Sequence, residues 1–293
     1  MITCSPDINK PLFRATCGGM GLTGVITRVT LKLMRVKSAQ IRQKTIRAQN
    51  LEQMFRLFET HAHLPYSVAW LDCLASGRQL GRSLLITGDH VQDHSLVLPE
   101  TRQVTIPFDL PGFCLNRTSV SLFNRLYYHR LPKGIREEIV SLDSFFYPLD
   151  RIDCWNRLYG KNGFIQYQVV FPEDRSFDGI REIILQTAAS GRGSFLCVLK
   201  QFGPENENYL SFPMKGHTLS LDFKFTPDLL AFIETLNDIV LEFNGRLYLT
   251  KDSCMPPEMM VQGYTRLDQF RDIRSTYQLD QQFNSHQSKR LGI

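Results

Sequence analysis

The feature that most constrains the fold is a set of segments in which apolar residues recur at every second position. In FIQYQVVF (residues 164–171), four apolar side chains alternate with Phe164 and with the amides of Gln166 and Gln168. This period is typical of a β-strand whose two faces meet different surroundings. Similar patterns predict strands at 25–33, 37–47, 66–74, 83–87, 195–202, 219–225 and 246–250.

Segments with helical periodicity lie between these strands, without the regular spacing of βαβ units. Asn50 can cap a helix over 50–63, and Thr226 with Pro227 can start a strong helix that Gly245 ends. Further helices are predicted at 178–190 and from 256 onward. Residues 98–135, with prolines at 99, 107, 111 and 132, are predicted to form a long loop or lid. This mixture favours an α+β fold with a largely antiparallel sheet.

Composition excludes several classes of protein. The chain has 293 residues and a net charge of +5, but its basic residues are scattered, so we expect no nucleic-acid interface. We find no apolar run of about 18 residues, so no transmembrane helix is expected. The seven cysteines are never spaced C-x-x-C, which argues against a disulfide framework and against a metal site. We therefore expect a reducing, cytoplasmic location.

A glycine-rich turn, GGMGLTG, lies near the start of the chain. Gly19, Gly21 and Gly24 match the spacing of a dinucleotide-binding loop, but such a loop needs a strand before it and a helix after it. Here a strand is predicted to follow, and no element is predicted before. We expect either a tight turn with positive φ angles or a backbone that approaches a flat cofactor. The chain is expected to start inside a larger fold.

Six blocks in order carry a resemblance to a known family: ATCGGMGLTGVITRVTLKL, PYSVAWLDCL, FIQYQVVFP, FLCVLKQFG, LSFPMKGHTLSLDF and NGRLYLTKDS. Together they resemble the decaprenylphosphoryl-ribose 2'-oxidase branch of the vanillyl-alcohol-oxidase superfamily, whose relatives include the aldonolactone oxidases. The resemblance covers nearly the whole chain. It implies an FAD-dependent oxidoreductase that oxidises a hydroxyl of a decaprenylphosphoryl-ribose-like or aldonolactone-like sugar.

The resemblance also implies a domain organisation. Residues 1–36 would finish the FAD-binding domain, 37–244 would form an antiparallel-sheet substrate domain with helices, and 245–293 would return to the flavin. The family's upstream pyrophosphate-binding segments have no counterpart here, so the chain resembles an N-terminally truncated member. We expect it to bind FAD poorly on its own.

The partners are implied in the same way. They are a polyprenyl-phosphate sugar or other sugar as substrate, a subunit that carries the missing FAD-binding segments, and a short-chain reductase that acts on the keto product. A lipid substrate also implies peripheral contact with a membrane in the service of cell-wall polysaccharide precursors.

Two residues in NGRLYLTKDS are candidates for catalysis. Alcohol oxidation needs a group that accepts the hydroxyl proton, and Lys251 can serve as that base or as a fixed cation. The resemblance implies that Lys251 is the active-site lysine and that Tyr248 contacts FAD and the substrate pocket. The ordinary alternatives are an exposed turn lysine and a strand tyrosine. Strict strand alternation places these two side chains on opposite faces, so they share a pocket only if the strand ends near Thr250.

Further residues are candidates for binding. Gln166 and Gln168 share a strand face and suit hydrogen bonds to sugar hydroxyls, although a solvated face explains them equally well. The resemblance implies that Lys200 faces the substrate, that Trp70 forms a pocket wall and that Ser220 lies in the substrate site. It also implies that backbone atoms of Gly24 and Val25 contact the isoalloxazine ring. Ser220 replaces a residue that is often cysteine in this branch, and His217 and Thr218 also depart from its pattern, which leaves the exact substrate open.

Two other functions compete with this hypothesis. The chain can be an inactive fragment, or one subunit of a split flavoenzyme. It can also be a carbohydrate-binding module that needs no flavin. The first alternative predicts a neighbouring reading frame for the FAD-binding segments, and the second predicts sugar binding that survives loss of Lys251.

Overall fold

A computed structural model describes residues 1–93, 95–99, 103–131 and 134–293. The strands in chain order are β1 (Gln40–Ala48), β2 (Tyr66–Leu71), β3 (Ser83–His90), β4 (Val104–Thr105), β5 (Ile135–Ser141), β6 (Ile152–Asp153), β7 (Phe164–Pro172), β8 (Cys197–Phe202), β9 (Gly216–Lys224) and β10 (Arg246–Leu247). The helices are α1 (Lys10–Thr16), α2 (Leu51–Thr60), α3 (Arg117–His129), α4 (Leu142–Phe146), α5 (Ser176–Ser190), α6 (Leu229–Glu242), α7 (Pro257–Gly263), α8 (Leu267–Thr276) and α9 (His286–Leu291). Among the described residues, none of these helices has the length and apolar character needed to cross a membrane.

Eight strands of the described chain form one antiparallel sheet in the order β10-β7-β9-β8-β2-β3-β1-β5. The short strands β4 and β6 pair in parallel beside it. Because β10 pairs with β7, the segment after residue 245 is joined to the same sheet as the preceding part of the chain. The division into domains at 36 and 244 stays a prediction.

One face of the sheet carries the main core. In β7, Tyr167, Val169 and Phe171 are buried, as the alternation of FIQYQVVF predicts. These side chains and their neighbours in β9 pack under α5, and α6 packs on α5. Asn50 caps α2 as predicted, since its side chain accepts a hydrogen bond from the Gln53 amide at 2.9 Å. The helices thus cover one face and leave the opposite face of β7 and β9 to polar side chains.

The prediction of a strand at 25–33 is wrong in this structure. Residues 24–37 are extended, but their backbone makes no hydrogen bond to another described residue. Val25, Leu31 and Leu33 are 79%, 73% and 83% exposed. A strand needs a neighbour for its backbone groups, and this segment has none among the described residues. Alternation alone therefore does not make a strand where the described residues offer no neighbouring strand.

The prediction of a long loop over 98–135 is also wrong in part, because α3 occupies Arg117–His129. Val120, Asn124 and Tyr128 lie on one side of α3 and anchor it over β2 and β3. Asn124 interrupts the apolar stripe and hides the helical period. Pro132 of the predicted loop, with residues 100–102 and 133, lies outside the described residues.

Two predicted elements begin or end at different residues in the structure. The helix expected from Thr226 begins at Leu229, and the Thr226 hydroxyl instead accepts a hydrogen bond from Arg192 at 3.0 Å. The strand expected over 246–250 ends at Leu247, and a 3₁₀ turn, Leu249–Lys251, follows it. The glycine-rich turn does have an element before it, which is helix α1.

Candidate functional site

A cavity of about 390 Å³ lies where β7 and β10 meet the glycine-rich turn. Four separate parts of the chain form its wall. They are the end of α1 and the turn after it (Thr16, Gly18, Gly19, Met20), the middle of β7 and the end of β8 (Gln168, Phe202), a loop before β9 (Leu210, Ser211, Phe212, Pro213) and the turn after β10 (Tyr248, Leu249, Thr250). The opening glycines and Tyr248 therefore border one cavity.

The glycine-rich turn is shaped by close contact with its own helix. A Cβ on Gly19 would lie 2.0 Å from the carbonyl oxygen of Ala15 and 3.3 Å from the Phe270 ring. Gly18 has a φ of +77°, which favours glycine. The turn thus presents bare backbone to the cavity. Because a helix precedes it and an extended segment follows, it does not have the strand–turn–helix geometry of a dinucleotide loop.

The turn after β10 carries Tyr248, which lines the cavity, and Lys251, which is not among the lining residues. The Tyr248 amide donates to the carbonyl of Gln168 at 2.9 Å, and the Lys251 amide donates to the carbonyl of Tyr248 at 2.9 Å. Because β10 ends at Leu247, strict strand alternation no longer fixes the relative direction of these two side chains. The Tyr248 ring stacks on Phe212, with ring centroids 4.5 Å apart.

Strand register places most of the predicted binding residues on one polar face. Gln168 is directly opposite Ser220, which is opposite Val198 on the next strand. Lys200, opposite Thr218, shares this face and is exposed. Gln168 lines the cavity, and its amide nitrogen donates to the Thr218 hydroxyl at 3.3 Å. The sheet thus continues the cavity wall as a row of polar side chains.

A buried carboxylate, Asp222, lies on this polar face. Its Oδ1 accepts a hydrogen bond from Gln166 Nε2 at 2.9 Å, and its Oδ2 accepts one from the Tyr159 hydroxyl at 3.4 Å. Burial raises the pKa of Asp222 from its usual value to about 6, although Gln166, Tyr159 and the Lys251 charge act in the opposite direction. Lys251 is therefore close enough to Asp222 to influence its charge.

The Lys251 side chain is half-buried. Its ammonium makes no hydrogen bond or ion pair with any residue that the structure describes. Lys251 follows Thr250, which lines the cavity, and an ammonium without an ion pair can interact with an oxygen atom of a ligand.

Of the nine predicted site residues, Gln168 and Tyr248 line the cavity and the other seven do not. Gln166, Lys200 and Ser220 lie on the polar face of the sheet, and Lys251 follows the lining residue Thr250. Trp70 is buried under α3, where its indole nitrogen donates to the carbonyl of Phe195 at 2.9 Å and its ring packs on Tyr127. Gly24 and Val25 lie in the exposed extended segment, and the cavity wall is formed by Gly18 and Gly19 instead. Trp70 is opposite Val198, which is opposite Ser220, so Trp70 shares the face of the sheet that carries the polar side chains, whereas Gly24 and Val25 belong to no strand of that sheet.

Two parts of the site were not found from the sequence. The 210–213 loop has no pattern that marks it as a cavity wall. The sequence does contain a signal for Asp222. It follows Thr218 and Ser220 at alternate positions of one strand, so all three side chains must lie on the same face of the sheet.

Comparison with known proteins adds the decisive observation. Decaprenylphosphoryl-β-D-ribose oxidase of Mycolicibacterium smegmatis is 34% identical over 299 aligned residues, which cover 98% of this chain. The chain is a relative of this oxidase. The family resemblance carried by the six sequence blocks is thereby confirmed. The chain spans 64% of the length of the oxidase.

Two further relatives differ in the extent of the match and do not add information about activity. An uncharacterized protein of Streptomyces coelicolor is 29% identical over 305 residues, covering 98% of this chain and 82% of that protein. Cytokinin dehydrogenase 10 of Oryza sativa subsp. japonica is 58% identical over only 33 residues, which are 11% of this chain and 6% of that enzyme. No family model matches the chain.

Proposed function

We propose that this chain provides the substrate-binding and C-terminal part of an FAD-dependent oxidoreductase that oxidises a hydroxyl group of a sugar. One observation carries the proposal. The glycine-rich turn, Gln168 and Tyr248 line a single cavity in a relative of decaprenylphosphoryl-β-D-ribose oxidase. Without that convergence, similarity of sequence would say nothing about where a reaction takes place.

The residues of the cavity fit a flavin ring. Its volume of about 390 Å³ is in the range of small-molecule sites. Gly18 and Gly19 offer backbone without side chains, so a flat ring can approach closely, and Tyr248 with Phe212 offers an aromatic wall. When bound, FAD would supply the acceptor for the hydride that leaves the sugar carbon.

The remaining chemistry belongs to side chains of this chain. Lys251 is proposed to interact with the hydroxyl oxygen that loses its proton, because a cation stabilises negative charge that develops there. Gln168 is proposed to orient the sugar through a hydrogen bond, and Ser220 lies beside it on the same face. Catalysis by positioning requires that these groups be held rigidly, which the antiparallel pairing of β7 and β9 provides.

The substrate is proposed to be a phosphoryl-linked pentose with a polyprenyl chain, following the name of the oxidase relative. Lys200 supports this choice, since it is an exposed cation on the polar face and can meet a phosphate. An aldonolactone lacks the phosphate and would leave Lys200 without a role. Contact with a membrane would follow from such a lipid substrate.

A partner is also proposed. The extended segment 24–37 exposes a row of large apolar side chains and an unpaired backbone, and we propose that flavin-binding polypeptide beyond this chain pairs with it. That polypeptide would correspond to the part of the oxidase that this chain does not span. A short-chain reductase acting on the keto product is a further proposed partner.

The proposal is tested by flavin reduction. The chain is joined to the part of the mycobacterial oxidase that it does not span, loaded with FAD and mixed without oxygen with a short-chain polyprenylphosphoryl ribofuranoside. We expect the visible flavin absorption to bleach, and Lys251→Ala to slow bleaching by about 100-fold or more. Lys289→Ala, an exposed lysine on α9, is the matched control. A flavin-loaded protein that never bleaches with sugar would reject the proposed function.

A further inference from the structure

Asp222 is a titratable residue at a fully buried position. Its side chain has no exposed surface, and its neighbours in β9 are the buried apolar residues Leu221 and Phe223. An ionised carboxylate in such a place costs free energy unless hydrogen bonds compensate it, and an apolar residue would fill the space at lower cost. A purely structural role therefore explains Asp222 poorly. The groups that Asp222 contacts indicate what other role it has.

The contact with Gln166 fixes the orientation of an amide. Gln166 and Asp222 are directly opposite each other across β7 and β9, and Gln166 Nε2 lies 2.9 Å from Asp222 Oδ1. An ionised carboxylate only accepts hydrogen bonds, so the amide must present its NH₂ group to it. The carbonyl oxygen of Gln166 then points away, and it makes no hydrogen bond to any described residue.

Gln168 provides a useful contrast on the same strand. Its amide nitrogen is 3.3 Å from the hydroxyl of Thr218. A hydroxyl both donates and accepts, so Thr218 permits either orientation of the Gln168 amide. Of these two glutamines, only Gln166 has a partner that permits a single orientation.

We propose that Asp222 is a positioning residue that locks the Gln166 amide as a hydrogen-bond acceptor for a hydroxyl group of the ligand. This inference rests on the proposed function for the nature of the ligand, but the lock itself does not. A locked acceptor favours hydroxyl-bearing ligands and disfavours an oxygen acceptor at the same point, because two acceptors repel. The site would therefore discriminate a sugar hydroxyl from its deoxy or keto counterpart.

The lock depends on the charge of Asp222. Burial raises its pKa to about 6, so the carboxylate is ionised at neutral pH and becomes protonated under mildly acidic conditions. The titratable groups that face it are Tyr159, whose pKa burial raises, Lys251 from the turn after β10, and the buried Cys197 of β8. A protonated Asp222 can donate, and the Gln166 amide is then free to turn.

The lock is tested by NMR on the full chain. The side-chain NH₂ signals of Gln166 are assigned by their loss in Gln166→Leu. We expect a downfield, slowly exchanging proton at about pH 8 that moves with a midpoint near 6 as acid is added. In Asp222→Asn this signal should lose its pH dependence, whereas Asp238→Asn, at an exposed position on α6, should leave it unchanged. Wild-type Gln166 signals that do not change between about pH 8 and pH 4 overturn the lock, whether or not Asp222→Asn folds.

The ligand is tested separately with methyl β-D-ribofuranoside and its 2-deoxy analogue. If the site recognises the hydroxyl through Gln166, wild type should prefer the ribofuranoside by about 3- to 10-fold, as expected for one hydrogen bond, and Asp222→Asn should remove the preference. A preference that survives Asp222→Asn overturns the role in specificity. If neither sugar binds, the proposed function fails while the NMR result still decides the lock.

Discussion

The backbone amide of Lys251 donates to the carbonyl of Tyr248 at 2.9 Å, and this hydrogen bond closes the turn that follows the strand. The strand that carries them is only two residues long, Arg246–Leu247, before the 3₁₀ turn begins. A tyrosine at the cavity and a lysine near the buried Asp222 thus come from one turn. The account of the site depends on that turn and on the glycine-rich turn across the cavity.

The glycine-rich turn should not tolerate a side chain at Gly19. A methyl group there would overlap the Ala15 carbonyl oxygen at 2.0 Å. We expect Gly19→Ala to lower the free energy of unfolding by about 1–3 kcal/mol, the usual cost of overpacking. Gly203→Ala is the control, since a Cβ there meets no atom within 4 Å. Urea unfolding measures both, and equal stabilities would contradict the packing of this turn.

Arg246 should anchor the loop that forms one wall of the cavity. It is 4% exposed, and its guanidinium donates to the carbonyls of Ser211 and Gly263, both at 2.6 Å, and to Glu205. We expect Arg246→Met to cost about 3 kcal/mol or more, because buried acceptors lose their donor.

The control for this prediction is Arg56→Met. Arg56 forms a surface pair with Glu52 at 3.7 Å, which contributes about 0.5 kcal/mol at most. Thermal or urea unfolding of the two variants gives the comparison. If Arg246→Met is no more damaging than Arg56→Met, the loop is held by other contacts.

His217 should make stability depend on pH. It is 6% exposed, neither ring nitrogen has a partner among the described residues, and burial lowers its pKa from 6.5 to about 4. Between these values the unfolded chain binds the extra proton, so acid favours unfolding. From about pH 7.5 to about pH 5 this group should remove on the order of 2 kcal/mol of stability.

His217→Phe should abolish that loss, since phenylalanine can replace the ring between Phe55 and Phe58 without a charge. Asp222 acts with the opposite sign. Its raised pKa means that the folded state holds the proton between about pH 4 and 6, so stability falls as pH rises through that window. We therefore expect the variant to gain stability relative to wild type as the pH is lowered. If urea unfolding gives the same pH dependence of the unfolding free energy for wild type and His217→Phe, the burial of a neutral His217 is contradicted.

The extended segment 24–37 should be unprotected in the chain alone. Its backbone makes no hydrogen bond to another described residue, so its amide hydrogens should exchange close to the rate of an unfolded peptide. Joining the chain to the part of the oxidase relative that it does not span should slow exchange at 25–34. The amides of β7 serve as the reference, because they are paired in both forms. Full protection in the chain alone would contradict the proposed pairing.

Local sequence patterns predicted the elements whose partners lie within the chain. The alternation of FIQYQVVF identified β7 and the face of Gln166 and Gln168, and Asn50 identified the start of α2. The same kind of alternation gave a wrong prediction at 25–33. An apolar period of two shows that a segment is able to form a strand, but it does not show which other strand the segment pairs with. Helix α3 was not predicted because Asn124 interrupts its apolar stripe. Asn124 is nevertheless buried, and its side chain donates hydrogen bonds to Asp72 and to the Ser194 carbonyl.

The site was predictable only in part for a related reason. Tyr248 and Lys251 were identified by resemblance to a family, but their relative orientation depends on where β10 stops, which no residue pattern in RLYLTK reveals. Trp70 was predicted as a pocket wall, and no sequence pattern reveals that its indole nitrogen donates to the Phe195 carbonyl under α3. Contacts between distant segments decide both cases.

The most direct test of the central claim is a crystal structure of the flavin-loaded protein, in which this chain is joined to the part of the oxidase relative that it does not span. The account predicts that the flavin ring lies in van der Waals contact with the backbone of Gly18 and Gly19 on one side of the cavity, with Tyr248 and Lys251 on the other. A ring bound elsewhere, with this cavity empty of flavin, would contradict it.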